Sequence, residues 1–419
     1  MIYFSLLQKM WGRYDFMEKL QTKKQVNALA ILLTVTYMIS YITRINYGAI
    51  ISEMVEATKI SKSMLSMALT GSFITYGTGQ VVSGILGDRF SPKKLVFWGL
   101  VASICMNLLI PVCNSPYQML VVWCINGFAQ SFMWPPIVRI MTEQLSEDDY
   151  KTTCTKVSWG SSFGTIVVYL CSPLLITLAG WKSVFVFSAI AGIIMLFIWN
   201  KKCADIKGGY KKTVQSQKGS MNNIFTPLMI MIMLAIVLQG MLRDGVTTWM
   251  PSYIFETYNL SNVISILTGV ILPLFSILSF QAATKLYMNK LKNPMLCAGV
   301  FFGAGAVSAL LLTFVTGKNA AFSVLLSALL TGCMHGVNLL LICMIPPFFK
   351  KYGNVSTVSG VLNSCTYIGS AISTYGIALL SEKLGWGFTL FGWLLIAALG
   401  TLICLVCVKP WSKEHTNND

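Results

Sequence analysis

Two arginines stand where arginines are expensive. Arg44 lies in the apolar stretch ILLTVTYMISYITRINYGAII, and Arg243 in LMIMIMLAIVLQGMLRDGVTTWM. An arginine at the centre of a membrane-spanning helix costs at least about 2.5–3.5 kcal/mol on insertion scales. Counted from Val26 and from Phe225, where the two apolar stretches begin, each arginine is 18 residues in. A guanidinium presents a planar fork of donors that matches the oxygens of a carboxylate or phosphate. Two forks at equal depth predict a shared use, the gripping of one anion from two sides. The plainer readings are that each arginine snorkels outward from the distal third of its helix, or that Asp244 simply neutralises Arg243. At helical spacing from Arg44 stand Tyr37, Ser40, Tyr41 and Tyr47, and from Arg243 stand Gln239 and Thr247. These faces carry the hydrogen-bonding groups a polar cavity needs, although aromatic residues at such spacing also serve packing. His335, Asn338 and Asn363 are polar residues in later apolar stretches. His335 is a candidate substrate contact or an interhelical hydrogen bond. Gln80 and Asn126 also sit in apolar stretches and need partners.

A second constellation is the turn GILGDRFSPKK, residues 84–94. Gly84 permits close chain approach, and Asp88 is suited to cap a helix end and pair with a basic group. Arg139 is the candidate partner. Gly84, Asp88, Arg89 and Arg139 together read as a latch for one conformation. The alternative is a solvated charged turn.

The elements that position these residues follow from composition. Of 419 residues, 55% are hydrophobic and 11% charged, with mean hydropathy +0.67. An ordinary soluble domain carries roughly 25% charge, and a disordered chain lacks this much apolar content. A bilayer core takes about 20 helical residues per crossing, so the length holds roughly a dozen. An outer-membrane barrel is excluded, because its strands alternate in polarity. The expected fold is an all-α polytopic membrane protein. Its twelve spans are 26–51, 65–86, 95–113, 117–142, 154–179, 183–200, 225–249, 262–284, 295–316, 320–347, 355–380 and 386–408. The polar, Lys-rich segment 201–224 reads as a linker between an N-terminal half (25–200) and a C-terminal half (225–408), each of six helices. Segment 1–24 reads as a charged cytoplasmic lead-in without a cleavable signal peptide, and 409–419 as a cytoplasmic tail. On this layout 22 basic residues fall on the side of the termini and 5 on the other, with four inside or at the edges of spans. That bias predicts cytoplasmic termini. It also accounts for the net charge of +16, so no nucleic-acid partner is needed. The 12 cysteines lie mostly in apolar runs and read as small packing residues. Neither His335 nor His415 is near the Cys404–Cys407 pair, so no metal or cofactor site is expected. The halves repeat: Gly164 to Gly180 and Gly369 to Gly385 are both 16 residues, and each pair ends in Gly-Trp.

At these residues the chain resembles the organophosphate:phosphate antiporters, a family of major facilitator transporters that includes bacterial glycerol-3-phosphate and hexose-phosphate carriers. The resemblance runs from about residue 25 to 405. It is carried by TyrIleThrArg at 41–44 with Asn46, the turn 84–94, TrpProPro at 134–136 with Arg139, LeuArgAspGly at 242–245 and TrpMetProSerTyr at 249–253. It implies the major facilitator fold in two six-helix halves and a monomeric rocker-switch carrier in the plasma membrane. It also implies that Arg44 and Arg243 bind a phosphate from opposite halves. Three positions depart from the pattern: Ile45 and Gln80 stand where glycerol-3-phosphate transporters have Lys, and Phe163 where they have His. A less charged anion, such as a carboxylate or sugar acid, therefore stays open. The expected function is secondary active transport of a small organic anion, by phosphate-linked exchange. The alternatives are proton-coupled symport and, since one member of the family is a sensor, a membrane sensor of a phosphorylated metabolite. No paired carboxylates, triad or metal cluster points to an enzyme. The expected partners are the anion and the bilayer.

Overall fold

A computed structural model of the chain describes residues 20, 22–60, 62–204, 225–259, 271–352 and 354–416. The described residues are helical, with no strand among them. The helices are α1 (Lys23–Ala49), α2 (Ile51–Thr58), α3 (Lys62–Arg89), α4 (Pro92–Leu109), α5 (Pro116–Gln130), α6 (Trp134–Gln144) and α7 (Glu147–Ala179). They continue with α8 (Lys182–Lys202), α9 (Pro227–Tyr258), α10 (Ile271–Asn289), α11 (Pro294–Val315), α12 (Ala320–Asn338) and α13 (Val355–Thr416). Most of segment 1–24, most of the linker 201–224, and the start of the expected span 262–284 lie outside the described residues.

Helix starts are written locally. Thr22 and Gln25 form a reciprocal capping box at α1. Ser91, Ser115 and Asn293 cap α4, α5 and α11, and each is followed by proline at the first helical position. Proline's fixed φ suits that position, and its missing N–H would have no partner there in any case.

The spans expected at 117–142 and 320–347 are not continuous helices. The first breaks between α5 and α6, where Pro135 and Pro136 lack the N–H a continuing helix requires. The second passes through a π-helical turn (Leu339–Cys343) into a short 3-10 helix that opens with Pro346 and Pro347. The eleventh and twelfth spans run together as α13, interrupted at Gly385, whose φ of 80° and ψ of 174° are open only to glycine. Gly180, its partner in the repeat, has φ 73° and ψ 173° between α7 and α8. The same backbone corner is thus built in both halves.

Among the described residues, nine helical segments are long and apolar enough to cross a bilayer. The three that complete the twelve are α3, α5 with α6, and the first arm of α13. Large apolar side chains such as Trp98, Leu178, Phe197 and Leu278 face outward, as lipid contact requires. The polar groups turn inward. Asn46 donates to Asn107 (2.7 Å) and Ser188 (2.9 Å), Asn126 accepts from Ser103 (2.7 Å), and Gln130 donates to Thr43 (2.8 Å). This buried network joins α1, α4, α5 and α8 within the N-terminal half and sets the rotation of α1.

Candidate functional site

The network fixes which residues of α1 look the other way. Thr43 and Asn46 enter the half, so Tyr37, Tyr41 and Arg44, spaced i, i+4, i+7, present the opposite face. The Arg44 guanidinium lies 4.2 Å from the ring centre of Tyr41 and 4.6 Å from that of Tyr76 on α3. Tyr37 extends the aromatic wall, 5.2 Å from Tyr41 and 5.1 Å from Trp134 between ring centres. Across the seam Tyr367 of α13 meets Tyr76 edge-on at 4.6 Å. Tyr41 and Tyr367 stand within electrostatic reach of both guanidinium groups. Arg44 has no carboxylate partner among the described residues.

Arg243 is held differently. Its Nε donates to Oδ1 of Asp244 at 2.6 Å and its Nη2 to Oδ2 at 2.7 Å. Ser370 of α13 donates to the same carboxylate. Of the readings open from the sequence, neutralisation of Arg243 by Asp244 is the one this geometry matches: the pair is neutral, and Arg44 supplies the net positive charge. His335 lies within electrostatic reach of both members of the pair. Its ring packs edge-on against Phe280 at 5.5 Å, and its side chain makes no hydrogen bond among the described residues. Gln239, one turn from Arg243, donates to the Met334 carbonyl at 3.1 Å and, among the described residues, leaves its buried Oε1 without a partner. The buried Nδ2 of Asn338 is likewise unfilled.

Other expected contacts sit elsewhere. Tyr47 is fully buried inside the N-terminal half, its hydroxyl donating to the Leu65 carbonyl and its ring packed on Trp123 and Phe185. Although it lies one turn beyond Arg44, its ring and hydroxyl are taken up by packing against α3, α5 and α8. Phe163 is 42% exposed, on the helical stripe that continues through Leu170, Leu174 and Leu178. That stripe is exposed along α7, the face lipid would meet, so Phe163 is set apart from the arginines. Gln80 and Asn363 bond each other across the seam at 3.0 Å and are both buried, so they form a floor rather than an open binding surface.

The turn at 84–94 sits at the end of the bundle that carries the linker. Asp88 accepts the backbone N–H groups of Ser356 (2.9 Å) and Thr357 (2.7 Å), at the N-terminus of α13 in the other half. A carboxylate is favoured there by the helix dipole and the unpaired N–H groups. Arg139, the expected partner, lies within electrostatic reach of Asp88. It pairs with Glu143 (2.6 Å) and donates to the carbonyls of Gly87 and Phe90, so it braces the turn that aims Asp88. Arg89 is exposed, with no polar contact among the described residues. Gly84 serves a helix crossing rather than a turn: a Cβ there would stand 2.7 Å from the Ser356 carbonyl oxygen. Further bonds join the halves at this end. Tyr150 donates to the Cys343 carbonyl, Thr155 meets Thr284, Ser162 meets Ser276 (2.6 Å), and Lys350 donates to the Thr142 carbonyl (2.9 Å).

Tyr76, Tyr367 and Ser370 were not singled out from the sequence. Helical spacing held the signal: Tyr76 is one turn before Gln80, and Tyr367 one turn after Asn363.

The Major Facilitator Superfamily model matches residues 33–374. The chain is 26% identical over 162 residues to a probable hexose phosphate transport protein of Chlamydia muridarum. That match covers 39% of this chain and 36% of the relative, so it spans about a third of the relative's length. It is 22% identical over 422 residues to the membrane sensor protein UhpC of Salmonella typhimurium, covering 92% and 93% of the two chains. In structure it resembles the Escherichia coli fucose:proton symporter FucP, with a TM-score of 0.72 at 13% identity over 90% of this chain and 98% of that one.

Proposed function

The chain belongs to the Major Facilitator Superfamily, and from that premise we propose that it is a secondary active transporter of a small organic anion, working by phosphate-linked exchange. The observation that carries this reading is Arg44. It is a cation held between two ring faces at the meeting of the halves, with no carboxylate partner among the described residues. A charge in a low-dielectric interior is costly unless paired, so an anion that pairs with it relieves that cost and draws the halves together. The loaded carrier then reorients more readily than the empty one, which favours exchange. The relative named as a hexose phosphate transport protein supports phosphate chemistry.

With the termini cytoplasmic, as the basic-residue bias favours, the closed linker end is the cytoplasmic end and the state described faces outward. The proposed location is the plasma membrane, and the proposed working unit is a monomer.

The test is counterflow. Purified protein in liposomes loaded with phosphate is given labelled phosphate outside. Uptake that is lost in Arg44→Lys, with the variant folded, supports the reading. Normal transport by both Arg44→Lys and Arg243→Lys overturns the site. Uptake driven by a proton gradient and indifferent to internal anion replaces exchange with symport. Ligand binding without any flux points to a sensor, as the name of the Salmonella relative does.

A further inference from the structure

Arg243 already holds an anion. Its fork is filled on both prongs by Asp244, the next residue in the chain, and that carboxylate is steadied by Ser370 from a different helix. Among the described residues, Arg44, on the facing half, is gripped only by the faces of Tyr41 and Tyr76. The groups around the pair are Arg243 and Asp244 on α9, His335 on α12, Tyr367 and Ser370 on α13, Tyr41 and Arg44 on α1, and Tyr76 on α3. Their fixed charges sum to one positive. A substrate with one negative charge neutralises the site on Arg44. One with two must bring its second charge against the Asp244 carboxylate or displace it from the fork. Neither α1 nor α3 offers Arg44 a matching carboxylate among the described residues, so the two halves of the site are unequal.

We propose that Asp244 is a built-in stand-in for the second charge of an anion, and that it sets the specificity of the site for monoanions over dianions. This rests on the anion-carrier reading above and adds the charge class of the substrate. Asp244 is a positioning and selectivity residue here, acting through Arg243. An opposite charge within about 4–6 Å shifts an ionic equilibrium by about 1–3 powers of ten and a like charge acts in the reverse sense, which sets the scale expected for its removal.

The experiment uses two tetrahedral anions whose charges do not vary with pH, methyl sulfate (one charge) and sulfate (two charges). Binding of each to the purified full-length protein is measured by calorimetry at one pH and one ionic strength. The wild type is expected to favour methyl sulfate. In Asp244→Asn the preference should move toward sulfate by about tenfold or more, and Asp244→Glu should restore the wild-type ratio. Ser370→Ala, which loosens the carboxylate without removing it, should move the ratio the same way to a smaller extent. It carries the test if Asp244→Asn does not fold. A ratio unmoved in the folded variants, with binding retained, overturns this inference and leaves the anion carrier standing. Binding of neither anion by folded wild type and variants overturns both.

Discussion

A guanidinium between two phenol rings is anchored without being neutralised, and that separates Arg44 from Arg243. The ring faces attract the cation by about 0.5–2 kcal/mol depending on desolvation. Replacing Tyr76 by Phe keeps the face, so anion affinity should stay near the wild-type value. Tyr76→Leu should weaken apparent affinity by about two- to thirtyfold on the same scale, read as the half-saturating concentration in counterflow. Equal affinities for the Phe and Leu variants would remove the ring face from the account. The arginine pair, the tyrosine face of α1 and Gln239 were legible in the sequence because helical spacing alone groups them. Neutralisation of Arg243 by Asp244 was open as an alternative, but its geometry was not legible. A carboxylate next to an arginine in sequence lies about 100° round the helix, and only its rotamer, with Ser370 behind it, turned proximity into a bidentate pair.

At the scale of elements, the seam between α3 and α13 works by backbone contact. Gly84 and Gly360 meet there, and a Cβ on Gly360 would collide with the Gln80 carbonyl. Asp88 adds two charge-assisted bonds to the start of α13. Such bonds are worth about 1.5–3 kcal/mol. Gly84→Ala and Asp88→Asn should each open the linker end and shift the population toward the opposite state by about tenfold or more. Spin labels introduced by Arg89→Cys and Asn289→Cys, both exposed positions, would report the shift as a longer distance. An unchanged distance distribution in both variants would mean that this contact does not hold the closed state. The paired corners make a separate prediction. Gly180→Ala and Gly385→Ala should each cost about 1–3 kcal/mol, because a Cβ is strained at that φ and ψ. Thermal unfolding should show similar losses for both. A loss at only one corner would deny their equivalence.

For the molecule as a whole, function requires the halves to part where they now meet. Ser162 and Ser276 face each other across the seam at 2.6 Å. Cysteines placed there by Ser162→Cys and Ser276→Cys should cross-link on oxidation and stop counterflow, and a reductant should restore it. The wild type given the same oxidant is the control. Full transport through the cross-linked protein would exclude rocking of the halves about this seam.

The sequence by itself determined the fold class, the twelve crossings and the repeat. Each rests on signals local to one stretch of chain, namely apolar runs of about 20 residues, proline and cap residues at helix starts, and glycines at equal spacing. It also marked both arginines, since a charge in an apolar run stands out whatever surrounds it. Only the tertiary structure decided which polar groups meet. It sent Tyr47 into the interior of its half and Phe163 to the outer face, bonded Asp88 to the far helix and, among the described residues, left Arg44 without a carboxylate while Arg243 has one. Those outcomes depend on helix rotation and on how the two halves pack. Contacts between different helices and between the two halves set both, and no spacing within a single helix contains them.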